Sequence, residues 1–303
     1  MAALLIGVAA LAHATWNIAM KRAGTSGTPF IAVTLLIGVI AFAPFGIASL
    51  VAAPPVAPAW LALIVGSAAL QLAYFLLLQR GYRLADVGVV YPVARGVGPL
   101  LSVIAAIVLL AERPGPVALA GALLVVAGVV VIGLARARQE RADDSTSPDS
   151  TSAGTAQQAA SARRARGIRY GALIGVVIAA YTLWDAVAVT LAGLAPVGYY
   201  WASMAVQLLM LGAIALRAPA TAVETARAHP VAAVLVGVLS PLAYIAVLSA
   251  YQLAPVAIVA PAREVSVVLI ALAGWMLFRE PHPVRRLTGS VVVLVGIAML
   301  ALG

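Results

Sequence analysis

Long apolar segments follow one another along almost the whole chain, each separated from the next by a short polar or charged stretch. Ten of them are long enough to cross a hydrocarbon core of ~30 Å as a helix. A membrane admits helices or closed barrels, and the segments lack the alternation of barrel strands. The pattern predicts an all-α integral membrane protein with ten transmembrane helices, over residues 2–20, 29–51, 59–80, 87–110, 115–134, 170–191, 196–216, 230–250, 256–278 and 284–302.

One segment differs from the others in kind. Residues 135–169 are rich in Ser, Thr, Ala, Gln and charged residues. A segment with so little apolar surface to bury is expected to be disordered. It therefore predicts a linker between a first five-helix half, residues 1–134, and a second five-helix half, residues 170–303.

The two halves repeat a series of residues in the same order and at a nearly constant offset, which is evidence for an internal repeat. Because five spans is an odd number, the second half enters the membrane from the opposite side, giving an inverted-topology repeat. This arrangement is typical of secondary transporters and predicts a substrate site between the halves, near the midplane. The matched residues are Trp16 with Trp184, Asn17 with Asp185, Tyr74 with Tyr244, Arg95 with Arg263, Glu112 with Glu280, and Gly121 and Gly128 with Gly289 and Gly296.

Composition narrows the class of protein further. Hydrophobic residues make up 64% of the 303 residues and charged residues 10%, against about 25% charged residues in soluble domains. The absence of cysteine excludes disulfides and thiol chemistry. The chain contains neither a Walker A sequence nor an HExxH motif, so it is not predicted to be an ATP-driven pump or an enzyme of the zinc protease type.

The net charge of +9 suggests nucleic-acid binding at first, but the basic residues lie at the ends of the apolar spans. Without the long linker, the loops on the linker side carry nine Lys or Arg, and the opposite loops and both termini carry Arg113 alone. By the positive-inside rule, this distribution predicts a cytoplasmic linker and both termini outside. We therefore expect no nucleic-acid partner.

Four sequence stretches resemble one known family. The stretches HATWNIAMKRAG, YRLADVGVVYPVARGVGPLLSV, AYTLWD and PAREVSVVLIALAGWMLFREP are similar to the EamA family of the drug/metabolite transporter superfamily. The resemblance implies a multi-pass carrier of the bacterial inner membrane, with helices 1, 3, 4, 6, 8 and 9 around a central cavity. It also implies transport of a small metabolite, often outward and often coupled to protons.

Ionisable residues inside a membrane span are costly and usually mark a functional site; here they are His13, Arg95, Asp185, Arg263 and Glu264. The two arginines can bind a carboxylate or phosphate of the substrate, or pair with an internal carboxylate. The formal charges of the arginines, Asp185 and Glu264 sum to zero, which favours a zwitterionic or uncharged polar substrate. Adjacent residues lie about 100° apart on a helix, so Arg263 and Glu264 are expected to face different directions.

Proton coupling is expected from titratable groups in a low-dielectric site, and the candidates are His13, Asp185 and Glu264. His13 is alternatively a hydrogen-bonding bridge between helices. No metal site and no cofactor are predicted.

Aromatic residues accompany the charged ones. His13, Trp16 and Asn17 share one helix face, and Tyr181, Trp184 and Asp185 repeat this spacing. The two tryptophans are alternatively interfacial belt residues. The residues predicted to bind substrate are Trp16, Asn17, Tyr74, Tyr91, Arg95, Tyr181, Trp184, Asp185, Tyr244 and Arg263.

The sequence favours a secondary transporter that moves a small polar or zwitterionic metabolite by alternating access. A lipid flippase or a channel-like pore is the alternative, and an intramembrane enzyme is a weaker one. The expected partners are a small-molecule substrate, the lipid bilayer and protons as a coupling ion. The chain is expected to be a monomer or a homodimer, and the glycines on helices 5 and 10 predict close helix packing.

Overall fold

The computed structural model describes residues 1–23, 27–53, 58–85, 87–144, 153–215, 224, 227–278 and 283–303, and these residues are mostly helical. The helices, numbered in chain order, are α1 (Ala2–Ala23), α2 (Thr28–Val51), α3 (Pro58–Leu84), α4 (Val87–Leu109), α5 (Pro116–Asp144), α6 (Ala153–Thr190), α7 (Pro196–Ala215), α8 (Pro230–Tyr251), α9 (Val256–Ala262), α10 (Val265–Phe278) and α11 (Pro283–Leu302). The described residues contain no strand.

Seven helical stretches within the described residues are long and apolar enough to cross a membrane. Two further apolar stretches, Pro116–Ile132 and Leu287–Leu302, are shorter. The prediction of an all-α integral membrane protein is confirmed at this level. The count of ten spans stays a prediction.

The predicted span over residues 256–278 is not one continuous helix. α9 ends at Ala262 and α10 begins at Val265, so the interruption falls on Arg263 and Glu264. Here two backbone N–H groups donate hydrogen bonds to the carbonyl three residues earlier in the chain. The Glu264 N–H donates to the Pro261 carbonyl at 3.0 Å, and the Val267 N–H donates to the Glu264 carbonyl at 2.9 Å. Pro261 contributes no N–H to the helix.

The ends of the predicted linker are helical in the structure, which differs from the expectation of disorder over residues 135–169. α5 continues to Asp144 and α6 begins at Ala153. Both extensions are rich in good helix formers such as Ala, Arg and Gln. Each continues an apolar helix, so no new helix has to be nucleated. Residues 145–152 lie outside the described residues.

The chain forms two compact units, and neither coincides with a sequence half. The first unit contains residues 1–72 and 181–259, and the second contains residues 73–180 and 260–303. The boundaries fall within α3, α6 and α9. Each unit therefore combines helices from both halves of the sequence.

In the first unit, α1 packs against α8, and α2 packs against α7 and α8. A buried cluster of Phe30, Ala232, Ala233 and Val236 joins α2 to α8. Gly38 permits the close approach of these two helices, because a Cβ added there would lie 2.8 Å from the Gly237 carbonyl oxygen. This packing holds α7 and α8, which carry partners of the buried acid described below.

In the second unit, α5 packs against α11 and α4. A Cβ added at Gly121 would lie 2.6 Å from the carbonyl oxygen of Gly296, and one added at Gly128 would lie 2.8 Å from that of Gly289. The predicted close packing through these four glycines is therefore confirmed, and it occurs within one chain.

Candidate functional site

The first unit contains a buried carboxyl group held by two tyrosines. Asp185 on α6 has no solvent exposure. The hydroxyl of Tyr199 on α7 donates to its Oδ1 at 2.6 Å. The hydroxyl of Tyr244 on α8 donates to its Oδ2 at 2.5 Å. Three helices thus direct polar side chains at one point.

Amide and hydroxyl groups complete the surroundings of Asp185. Gln71 on α3 donates from Nε2 to Oδ2 at 3.1 Å and to the hydroxyl of Ser67 at 3.1 Å. Ser67 is also hydrogen-bonded to the Asp185 carboxyl. Gln207 on α7 extends the network, since its Nε2 lies 3.5 Å from Oε1 of Gln71. Five side chains from α3, α7 and α8 therefore form one hydrogen-bonded group around Asp185, which we call the Asp185 network.

Two further aromatic rings lie next to the ring of Tyr244. The Tyr244 ring lies 4.8 Å from the Tyr200 ring and 6.1 Å from the Tyr181 ring, measured between centroids. Tyr200 is 7% exposed, whereas Tyr181 and Tyr244 are partly exposed. Aromatic faces beside a carboxylate can hold an organic cation.

Every side chain that hydrogen-bonds to Asp185 in the described structure is neutral and can donate. An ionised carboxylate accepts hydrogen bonds only, so this arrangement satisfies its oxygens without a positive charge. A proton or a ligand ammonium group can supply the missing positive charge. The described residues contain no cluster of three or more His, Asp or Glu that could hold a metal ion.

The predicted polar-aromatic face on α1 makes two local contacts. The rings of His13 and Trp16 lie 4.9 Å apart, and Asn17 donates from Nδ2 to the His13 carbonyl at 2.7 Å. Trp16 packs against the Phe30 cluster, and its buried Nε1 has no hydrogen-bond partner in the described structure. The convergence of this face with that of α6 stays a prediction.

Trp184 lies on the same helix as Asp185 but contacts different residues. Its indole N–H donates to the Leu63 carbonyl at 2.8 Å, and a side chain at Gly66 would collide with its ring. The residue is 38% exposed. The structure therefore brings Tyr181, Asp185 and Tyr244 together and leaves Trp184 outside their hydrogen bonds.

The second unit contains a cluster of three charged residues, Arg95, Arg263 and Glu264. Nη1 of Arg95 lies 3.3 Å from both carboxylate oxygens of Glu264. Nε of Arg263 lies 3.7 Å from Oε1 of the same residue. The Glu264 side chain is 1% exposed, while those of Arg95 and Arg263 are 17% and 12% exposed. The two arginines matched in the sequence repeat thus share one buried carboxylate.

The helix interruption explains how neighbouring residues can pair. The expectation that Arg263 and Glu264 face different directions is wrong, because it assumes a regular helix through both. The turn between α9 and α10 replaces that geometry and lets the two side chains approach.

The Arg95 guanidinium also lies 5.4 Å from the centroid of the Tyr91 ring, which adds a cation–π contact. Tyr74 is in the same unit and is partly buried.

Four residues of the Asp185 network are not among the predicted substrate-binding or proton-coupling residues. They are Ser67, Gln71, Tyr199 and Gln207, of which Ser67 and Tyr199 have no solvent exposure. One signal was available for Gln71 and Gln207, since uncharged amides within apolar spans require hydrogen-bond partners.

The described residues form an all-α, multi-pass membrane protein that contains the Asp185 network and the cluster of Arg95, Arg263 and Glu264. Residues 1–134 match the model of the EamA-like transporter family, which belongs to the drug/metabolite transporter superfamily. The resemblance recognised from the motifs is confirmed over these residues.

Comparison with solved structures supports the fold. A chain described only as "Crystal structure of protein" is similar, with a TM-score of 0.71 and 19% identity, over 99% of this chain and 96% of the other. At this identity the similarity shows the fold alone. No curated protein matches the sequence.

Proposed function

We propose that the protein is a secondary transporter that moves a small polar or zwitterionic metabolite across the membrane by alternating access. The observation that carries the proposal is the Asp185 network in a chain of a transporter family. A carboxyl group with no exposure and only neutral partners contributes little to stability, because a buried charge is costly without an opposite charge beside it. It is suited to bind a proton or a substrate ammonium group reversibly.

The proposal includes the ten-helix inverted repeat, with both termini outside, a cytoplasmic linker and a location in the bacterial inner membrane. The repeat is supported by the ordered residue matches between the halves, and the orientation by the distribution of Lys and Arg. A net-neutral set of ionisable residues within the spans supports a substrate without net charge. The protein is proposed to be a carrier and not an enzyme.

Coupling to protons is proposed to act through Asp185. A carboxyl group that alternates between its protonated and ionised states can link substrate binding to proton movement. His13 and Glu264 are the other candidates. Glu264 is less suited to this role, because its carboxylate already lies near two arginines.

The test begins with a search for the substrate. Small metabolites are screened for thermal stabilisation of the purified protein, because binding to the folded state raises its apparent stability. The best ligand is then used in proteoliposomes. Saturable uptake that increases with internal substrate supports a carrier, whereas flux that rises in proportion to concentration contradicts it. Uptake that is unchanged when the pH gradient is collapsed contradicts proton coupling.

A further inference from the structure

One buried carboxylate in the second unit is shared by two arginines, and this arrangement has a consequence for binding. We infer that Glu264 occupies a binding site for an acid group, formed by Arg95 and Arg263, and competes there with a carboxylate of the ligand. This inference rests on the proposed transport function and assigns the acid group of the substrate to a particular pair of residues.

The contact between Arg95 and Glu264 is not a bidentate ion pair with two parallel hydrogen bonds. Arginine and a carboxylate in their best geometry form two parallel bonds of about 2.7–2.9 Å from two nitrogens. Here Nη1 approaches both oxygens, each at 3.3 Å. The Arg263 contact is longer still, at 3.7 Å. A ligand carboxylate can therefore form a better-aligned pair with either guanidinium than Glu264 does.

The break between α9 and α10 adds a second attraction for an anion. Glu264 directly precedes α10, a helix of 14 residues, so it lies at the positive end of the helix dipole. Interrupted membrane helices in transporters often direct such an end at an anionic group of the substrate. Glu264 thus takes the position that a ligand anion would take, next to two guanidinium groups.

The same break makes Glu264 replaceable. Its backbone lies in a turn and not within a helix, so its side chain can withdraw with a change of few torsion angles. A site that is closed for part of the time binds its ligand with an affinity reduced by the open fraction. Removal of the Glu264 charge should therefore strengthen the binding of a carboxylate that the wild-type protein already binds more weakly. With a purely structural ion pair, the wild-type protein would not bind the carboxylate at all.

The test uses sodium acetate as the probe and acetamide as its neutral analogue. Wild-type protein, Glu264→Gln and Glu112→Gln are purified in lipid nanodiscs, and the melting temperature is measured against probe concentration. Glu112→Gln removes the same charge outside the cluster, so salt effects common to all variants cancel. We expect Glu264→Gln to melt at a lower temperature without probe. Its half-saturating acetate concentration should be about fivefold lower than that of the other two proteins.

Two further variants complete the experiment. Adding Arg95→Gln to Glu264→Gln should abolish the stabilisation by acetate, and acetamide should stabilise none of the proteins. Glu264→Asp keeps the charge on a shorter side chain and should give a smaller gain, which provides a measurement if Glu264→Gln does not fold.

The inference is overturned by an unchanged half-saturating concentration in Glu264→Gln, or in Glu264→Asp if the first variant does not fold. It is also overturned by an acetate response that survives the loss of Arg95, or by no acetate response in the wild-type protein. The acetate experiment does not measure transport, so the two proposals can fail separately. If acetate binds as expected but no transport occurs in proteoliposomes, the proposed function is contradicted and the anion site is still supported.

Discussion

Tyr199 and Asp185 lie 14 positions apart and on different helices, yet both are fully buried and their side chains are joined by a hydrogen bond of 2.6 Å. The hydroxyl of Tyr199 also lies 3.4 Å from the Leu63 carbonyl oxygen on α3. Tyr199 therefore links α7 to both α6 and α3. Its loss should affect the stability of the first unit as well as the state of the carboxyl group.

Tyr199→Phe removes one of the donors to the Asp185 carboxyl and leaves the ring in place. We expect the free energy of unfolding to fall by about 1–3 kcal/mol, because a buried polar group loses a partner. Transport of the ligand found by screening should fall as well. Thermal unfolding in detergent and uptake in proteoliposomes measure the two effects. The control is Tyr170→Phe in the second unit, and equal effects of both substitutions would contradict a special role for Tyr199.

Asp185→Asn replaces the titratable group by an amide of the same shape. We expect the protein to insert and to remain folded, since the amide oxygen still accepts hydrogen bonds. Transport should be lost, because the amide cannot take up a proton or balance an ammonium group. Uptake is compared with that of Glu112→Gln, which removes one carboxylate elsewhere. Normal transport by Asp185→Asn would remove the proposed site.

Arg95 and Glu264 should be energetically coupled. Removal of either partner alone leaves a buried charge with less compensation, which costs about 3–5 kcal/mol for a fully buried pair and less where a second arginine remains. The double variant Arg95→Gln with Glu264→Gln should be more stable than the sum of the single effects predicts, with a coupling energy of about 0.5–3 kcal/mol. Chemical unfolding in micelles measures all three variants. Additive effects would show that the two side chains do not interact.

Two glycine substitutions should change stability in opposite directions. A Cβ at Gly121 would lie 2.6 Å from a backbone oxygen on α11, so Gly121→Ala should destabilise the protein by about 1–3 kcal/mol. Gly212 on α7 has nothing within 4 Å of an added Cβ. Gly212→Ala should therefore stabilise its helix by up to about 1 kcal/mol. Melting temperatures of the two variants give the comparison, and a Gly121→Ala variant that is as stable as the wild type would contradict the packing described for α5 and α11.

The orientation in the membrane can be tested with fused reporters. An enzyme that is active only outside the cytoplasm should be active when it is fused after Gly303. The same enzyme inserted among residues 145–152 should be inactive, because the distribution of Lys and Arg predicts that this segment lies inside. Activity at the linker, or none at the C-terminus with activity from a cytoplasmic reporter there, would reverse the proposed topology.

Much of the fold could be predicted from the sequence, because lipid permits few structures and the apolar segments are long. The ionisable residues were also predictable, since an acid or arginine in such a segment is costly without a purpose. Partners were harder to predict. Tyr199 and Gln71 reach Asp185 only through the rotation of α7 and α3 about their axes, which packing determines and which local sequence does not record.

The break at Arg263 shows a second limit of local sequence. Pro92 and Pro261 precede matched arginines, yet α4 continues through Pro92 and the other helix ends one residue after Pro261. The proline alone does not decide between these outcomes. One difference is that a buried glutamate follows Arg263, and the turn lets its carboxylate meet two guanidinium groups.

The position that corresponds to Glu264 in the first half of the proposed repeat is Gly96, where an added Cβ would lie 2.8 Å from Cγ2 of Val130. An assembly of two identical half-length chains would contain every residue twice, so it would carry two such carboxylates or none. A single polypeptide with two different halves can carry one carboxylate for two arginines. Because the two halves are joined in one chain and differ in sequence, they can form a cluster of two arginines and one carboxylate. A symmetric pair of identical subunits could not form a cluster with this odd number of charges.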